Sequence, residues 1–88
     1  MERDIIVGKT YRNISGNYYR VICISKDTEQ YDGTEPRQLV IYESLGSDHS
    51  IWSRSYDLFN LKVDKKINPD EVQQYRFELV DDEIKFGD

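Results

Sequence analysis

The stretch YYRVICIS, residues 18–25, decides the fold because it gives the strongest strand signal in the chain. It is rich in aromatic and β-branched residues, which are enriched in β-strands. Alternation divides its side chains between two faces, with Tyr19, Val21 and Cys23 on one and Tyr18, Arg20, Ile22 and Ile24 on the other. Both faces are mainly apolar, so the pattern predicts a central strand. The single cysteine cannot form an internal disulfide and is expected to be a small buried hydrophobe.

Strand signals continue on both sides of this stretch. RQLVIYESL (37–45) alternates in the same way, and SIWSR (50–54) follows the polar turn GSDHS, so these two segments are predicted to form a hairpin. KTYRN (9–13) precedes the central strand across the short connection ISGN, in which Gly16 and Asn17 can adopt positive φ. The segments together predict an antiparallel meander.

The C-terminal part predicts one turn or two of helix and a last strand. INPDEVQQ (67–74) has Asn68 as an N-cap, Pro69 at the first helical position and Glu71 at the third, which is a capping box. YRFELV (75–80) alternates as a strand does, and it can close a barrel by pairing with the first strand.

These elements indicate one domain, residues 1–88, in which 81–88 form a charged tail where Ile84 and Phe86 could dock. A chain of this length buries only roughly 60 to 65% of its unfolded surface, so the core is small. Four or five short strands with one helical turn favour a mainly β fold, namely a small, SH3-like, partly open β-barrel of about five antiparallel strands. A sandwich needs about seven strands, and an OB-like barrel is the competing architecture.

The composition and the N-terminal sequence limit which cellular location and which classes of partner are expected. The start MERDIIVGK lacks the apolar core of a signal peptide, and no apolar run is long enough to span a membrane, so a cytoplasmic protein is expected. With 17 acidic and 12 basic residues the net charge is −5, which opposes binding to DNA or RNA polymers. His49 stands alone in a polar turn, so neither a metal nor another cofactor is predicted.

The segment KDTEQYDGTEPR (26–37) is predicted to be a mobile loop because it contains Asp-Gly and Pro and is acidic. Its acidic residues are expected to be solvated; they are Asp27, Glu29, Asp32 and Glu35. Tyr31 has little reason to pack in such a loop and could cover a ligand.

Aromatic and arginine side chains on the predicted strands form the candidate binding site. Alternation projects Trp52 and Arg54 to the same face of their strand. An aromatic ring can stack on a planar group, and an arginine fork can bind phosphate or carboxylate. The candidate site residues are Tyr11, Arg12, Tyr19, Arg20, Tyr42, Trp52 and Arg54. The alternative is structural: the Trp fills the core, the tyrosines pack on their strands, and Arg54 pairs with a carboxylate.

The segments GKTYRNISGNYYRV (8–21) and LVIYESLGSDHSIWSRSYDLF (39–59) resemble a small bacterial and phage family catalogued as domain of unknown function 1653. The positions that match its pattern are Gly8, Tyr11, Arg12, Gly16, Tyr19, Val21, Val40 or Ile41, Tyr42, Leu45, Trp52, Arg54 and Phe59. The resemblance implies an SH3-like fold and no particular activity.

This chain departs from the family pattern at several positions. Asn13 stands where the pattern has His, Ser15 where it has Lys, and Ser55 where it has Pro. The acidic segment 26–37 replaces a short segment that resembles His-Ser-Glu-Thr. Any role of the family's histidines therefore does not transfer to this chain.

The protein is not expected to be an enzyme, because the sequence has no nucleophile with a histidine base, no carboxylate pair, no phosphate loop and no metal-ligand spacing. Two noncatalytic functions remain. In the first, the aromatic and arginine residues form a pocket for a small anionic, nucleotide-like ligand that is sequestered or sensed. In the second, an SH3-like groove or an open strand edge binds a protein partner. Clustering of Arg12, Arg20 and Arg54 favours the first. A homo-oligomer is expected because pairing enlarges so small a core or builds a pocket.

Overall fold

The computed structural model describes residues 3–30, 33, 35–46 and 48–80 of the chain. The elements within these ranges are β1 (Thr10–Asn13), β2 (Tyr18–Lys26), a 3-10 turn (Thr28–Gln30), β3 (Gln38–Ser44), β4 (Ile51–Ser55), α1 (Tyr56–Phe59) and β5 (Phe77–Leu79). Tyr31, Asp32 and the tail 81–88, with Ile84 and Phe86, lie outside the described residues, as do the predictions made for them.

The five strands form one antiparallel sheet in the order β4-β3-β2-β1-β5. The central position of β2 and the pairing of the last strand with the first are therefore confirmed. The prediction of a mainly β fold with five antiparallel strands and one short helix is also confirmed. β4 and β5 are the two edges, and this open sheet is consistent with a small, partly open barrel.

A bulge in β2 changes which of its side chains reach the core. Val21 is opposite Tyr42, but Cys23 is already opposite Ile41, so Ile22 is an extra residue without its own partner on β3. Beyond the bulge the alternation is reversed. Ile24 packs against the core and Cys23 is exposed, so the prediction of a buried Cys23 was wrong.

In the connection between β1 and β2, Gly16 adopts the positive φ that the sequence predicted. Gly16 has a φ of +93°, and its amide donates to the carbonyl of Asn13 at 2.9 Å. The side-chain oxygen of Asn13 accepts from the amides of Ser15 and Asn17 at 3.1 and 3.0 Å, which fixes the turn. Among the described residues other than glycine only His49 has a positive φ, so Asn17 does not take this conformation.

The helical turn predicted at 67–74 was wrong, because that segment consists of turns and irregular backbone in the structure. Glu71 does not complete a capping box: its carboxylate accepts from the amide of Gln73 at 3.0 Å. Gln73 is buried, and its side-chain amide donates to the carbonyl of Arg12 on β1 at 3.2 Å. This hydrogen bond to the sheet stabilises the observed backbone, whereas a helix of one or two turns is too short to be stable without such packing.

The one helix among the described elements, α1, directly follows β4 and was not predicted. Ser55 caps it by accepting a hydrogen bond from the amide of Leu58 at 3.3 Å. Its four residues place Phe59 in the core, where the ring stacks on Phe77 with centroids 4.2 Å apart. The buried core around this stack consists of Ile5, Tyr11, Val21, Val40, Tyr42, Phe59 and Phe77. No helix in the described part of the chain has the length and apolar character needed to cross a membrane.

Candidate functional site

The strand register separates the candidate residues onto two faces of the sheet. Directly opposite residues of an antiparallel pair point to the same face. Tyr42 is opposite Trp52 and Val40 is opposite Arg54, so both β4 residues lie on the face that carries the core. We call this the core face, and the other the outer face. The prediction that Trp52 and Arg54 share a face agrees with this register.

Trp52 lies on the core face but outside the core. Trp52 is 53% exposed because β4, among the described strands, is an edge strand with no neighbour beyond it. The indole N–H donates to the Ser50 hydroxyl at 2.7 Å, which fixes the orientation of the ring. The structural alternative, in which Trp52 fills the core, is therefore incorrect.

Arg54 is exposed beside Trp52 and is held by two uncharged groups. Its Nε donates to the Tyr42 hydroxyl at 3.4 Å, and its guanidinium carbon lies 5.5 Å from the centroid of the Phe77 ring. Two contacts between basic and acidic side chains in the described residues, Arg37 with Asp27 and His49 with Glu43, do not include it. Within this part of the chain, the terminal nitrogens of Arg54 therefore have no carboxylate partner.

The three candidate tyrosines are mainly supporting residues. Tyr11 is fully buried, and its hydroxyl accepts from the amide of Ile6 at 2.9 Å. Tyr42 is also buried, and only its hydroxyl reaches the site, through Arg54. Tyr19 is partly exposed, with its ring edge-on to Tyr42 at 5.3 Å and its hydroxyl accepting from Asn13 at 3.3 Å. Of the three, Tyr19 alone has a ring partly open to solvent.

Arg12 and Arg20 do not join this group. Arg12 is opposite Tyr18 and Arg20 is opposite Thr10, so both lie on the outer face. Arg12 also donates to the side-chain oxygen of Gln73. The convergence of three arginines expected from the sequence is not present in the structure, and Arg54 is the arginine that shares a surface with Trp52.

Sequence reasoning missed Arg3, which holds the N-terminal segment against the sheet. Its Nε donates to Asn60 at 2.6 Å, another nitrogen donates to the carbonyl of Phe77, and its guanidinium lies 3.8 Å from the centroid of Tyr75. Burial lowers the pKa of this guanidinium, and nearby groups such as the Tyr11 hydroxyl partly oppose that effect. A lone arginine near a chain terminus gives no sequence pattern that would indicate this role.

A cleft of about 410 Å³ lies where β2, β3 and α1 meet, and the sequence did not indicate it. Its lining includes two cations and two carboxylates, from Lys26, Arg37, Glu35 and Asp57. Arg37 is also paired with Asp27 at 2.9 Å, so Asp27 is not the freely solvated residue that was expected. The mixed charge does not select a ligand of either sign. No cluster of His, Cys, Asp and Glu in the described ranges could hold a metal ion.

Comparisons with known proteins give one match. The model of a family described as "Protein of unknown function (DUF1653)" matches residues 9–79, which is most of the chain. This match confirms the resemblance that the sequence showed. No curated protein and no solved structure matches the chain.

Proposed function

We propose that this chain, which belongs to the DUF1653 family, is a non-enzymatic protein that binds a small, planar, anionic ligand, nucleotide-like in chemistry, at Trp52 and Arg54. It acts by sequestering or sensing that ligand in the cytoplasm of a bacterium, or of its host if a phage encodes it. We call Trp52, Arg54 and the partly exposed ring of Tyr19 the Trp–Arg surface.

The observation that supports this proposal most directly is the setting of Arg54. A guanidinium with uncharged neighbours keeps donors available in a fork that matches phosphate or carboxylate. Tyr42 and Phe77 hold its Nε and its flat face, which orients the fork before a ligand arrives. Less side-chain entropy is then lost on binding.

The spacing of the two side chains fits a ligand with a planar group and an anionic group. Trp52 and Arg54 are two residues apart on one strand, which separates their Cα atoms by about 7 Å. The half-exposed indole offers a surface for stacking, and its N–H is already used by Ser50. A planar base on the indole can therefore place an attached phosphate at the guanidinium.

The noncatalytic part of the proposal is supported by the position of the reactive groups. Cys23 is opposite Ile41, which is opposite Ser53, so the thiol lies on the outer face, away from Trp52 and Arg54. The Nδ1 atom of His49 lies 3.3 Å from a carboxylate oxygen of Glu43. Neither group is in place to act as a nucleophile or base on a ligand at the Trp–Arg surface.

Calorimetry and thermal melting with AMP, ADP, GMP and inorganic phosphate test the proposal. We expect at least one nucleotide to bind, and Arg54→Ala to weaken its binding by about 10- to 150-fold, because a charge-assisted contact contributes roughly 1.5 to 3 kcal/mol. Arg20→Ala is the matched control, since it removes an exposed arginine from the outer face of the same sheet.

Three results would refute this function. They are no binding of any nucleotide, equal losses from Arg54→Ala and Arg20→Ala, and unfolding by Arg54→Ala. Tight binding that is unaffected by Arg54→Ala would place the site elsewhere. Absence of all binding would favour the other function considered, recognition of a protein partner by a groove or strand edge.

A further inference from the structure

The outer edge of β4 is unpaired among the described strands and carries one of the features that usually limit pairing between edge strands, the charged Arg54. Natural edges are protected by charged side chains, especially lysine, by proline, by bulges or by a covering element, and β4 has no lysine, proline or bulge. β4 has the sequence IWSRS, pairs in regular register with β3 and has four exposed residues out of five. Ile51, at its start, is 58% exposed. Among the described strands, β4 has no neighbour on this side.

The hydrogen-bond pattern shows which backbone groups are available at this edge. The carbonyl of Ser50 accepts from the amide of Ser44 at 2.8 Å, so Ser50 belongs to a hydrogen-bonded pair with β3. Because such pairs alternate along an antiparallel ladder, Trp52 and Arg54 also direct their backbone groups to β3. Ile51 and Ser53 direct theirs outward, and so does the amide of Ser55, whose carbonyl instead accepts the first hydrogen bond of α1.

We propose that a second copy of this chain pairs with this edge, β4 against β4, antiparallel about a twofold axis at Ser53. Ser53 of one copy then exchanges two backbone hydrogen bonds with Ser53 of the other, and the amide of Ser55 donates to the carbonyl of Ile51 in the other copy. Trp52 of each copy is opposite Arg54 of the other. The two sheets join into one continuous sheet. This proposal is argued from the strand edge and its register, and it uses the two side chains of the proposed ligand site, so nucleotide binding is expected to compete with dimer formation.

Side-chain chemistry selects this register over its neighbours. Trp52 and Arg54 fall in a non-hydrogen-bonded pair, where Cα atoms are only about 4.5 Å apart and the side chains are closest. The guanidinium can then stack on the facing indole, and this occurs twice by symmetry. Centring the axis on Arg54 places two like charges opposite each other. Centring it on Trp52 leaves each arginine opposite Ser50.

The first experiment measures mass by light scattering over a dilution series and compares three chains. We expect the parent chain and Ser53→Ala to be dimers that dissociate on dilution. Ser53→Pro removes an amide that points away from β3, so the monomer fold is retained, but the dimer edge is lost. We expect this variant to be monomeric at concentrations where Ser53→Ala is dimeric.

The second experiment traps the register by disulfide formation in a Cys23→Ser background. The two Ser53 residues form a hydrogen-bonded pair with Cα atoms about 5.5 Å apart, within the range of about 4.4 to 6.8 Å that a disulfide spans. Ser53→Cys should therefore form a covalent dimer on mild oxidation. Ile51→Cys is the control, because its two copies are about 13 Å apart along the strands.

The proposal is overturned if the parent chain is a monomer throughout the series, which leaves the edge to a different partner. A dimer that resists Ser53→Pro and does not cross-link through Ser53→Cys would also refute it, because the interface then lies elsewhere. If Ser53→Pro unfolds, the comparison of Ser53→Cys with Ile51→Cys decides. If the parent chain is a β4 dimer and the monomeric Ser53→Pro variant, whose Trp52 and Arg54 are free, binds no nucleotide, the proposed ligand is refuted and this proposal stands.

Discussion

Arg3 shows how much one partly buried cation can hold together in a domain of this size. It contacts the side chain of Asn60 after α1, the backbone of β5 at Phe77, and the face of Tyr75. The Asn60 side chain in turn donates to the carbonyl of Arg3 at 3.0 Å, so the two residues bind each other in both directions. Burial lowers the pKa of the guanidinium, but an arginine remains charged near neutral pH.

Replacing Arg3 should therefore destabilise the fold without touching the Trp–Arg surface. We expect Arg3→Ala to lower the free energy of unfolding by about 2 to 3 kcal/mol, because hydrogen bonds from a charged group are lost and the Phe77 carbonyl loses its donor. Thermal melting followed by circular dichroism measures this change. Arg76→Ala, at an exposed arginine next to β5, should change stability by no more than about 0.5 kcal/mol. Equal effects of the two changes would contradict the role of Arg3.

At the same scale, alternation predicted that Trp52 and Arg54 lie on the same face of β4. It did not predict that Arg12 and Arg20 lie on the opposite face of the sheet. A period of two assigns faces within one strand. It does not say which face of β1 aligns with which face of β4, since that depends on the register of every intervening pair. The site thus keeps its aromatic and cationic character with one arginine instead of three.

At the scale of elements, the strands and their order were predictable because alternation and turn residues are local signals. The misplaced helix and the face of Cys23 depended on contacts between distant residues. The capping residues at 67–74 do not start a helix, because the side chain of Gln73 donates to the backbone of β1, 61 positions away in the sequence. The bulge at Ile22 exists only in relation to β3, so the sequence of β2 alone did not reveal it.

The bulge has a direct chemical consequence for Cys23. Because the thiol is exposed on the outer face, it should react with Ellman's reagent in the folded protein to about one equivalent and nearly as fast as in urea. Cys23→Ser should leave the free energy of unfolding within about 0.5 kcal/mol of the parent value. A thiol that reacts only after unfolding would contradict the register shift and restore the unbroken alternation.

At the scale of the whole molecule, aromatic side chains connect the two ends of the sheet. Among the described strands, β4 and β5 are opposite edges that do not pair with each other, yet Phe59, the last residue of α1, stacks on Phe77 at the start of β5. Arg54 from β4 lies over the same Phe77 ring. The partly open barrel is thus held across its unpaired edges by the core, and the Trp–Arg surface lies beside this stack.

Phe59 is therefore the residue on which the stability of the whole domain should depend most. It is fully buried and contacts the rings of Tyr11, Tyr42 and Phe77. Removing a buried phenylalanine costs about 3 to 5 kcal/mol, which is a large part of the roughly 5 to 15 kcal/mol that stabilises a typical domain.

We expect Phe59→Ala to be largely unfolded or to unfold at much lower urea than the parent chain, and Phe59→Leu to lose less because it keeps most of the volume. Leu58→Ala is the matched control on the same short helix, since Leu58 is 49% exposed and should cost about 1 kcal/mol or less. Urea unfolding followed by circular dichroism compares the three variants. If Leu58→Ala were as damaging as Phe59→Ala, the helix itself would stabilise the fold, and the aromatic stack would not be what connects β4 to β5.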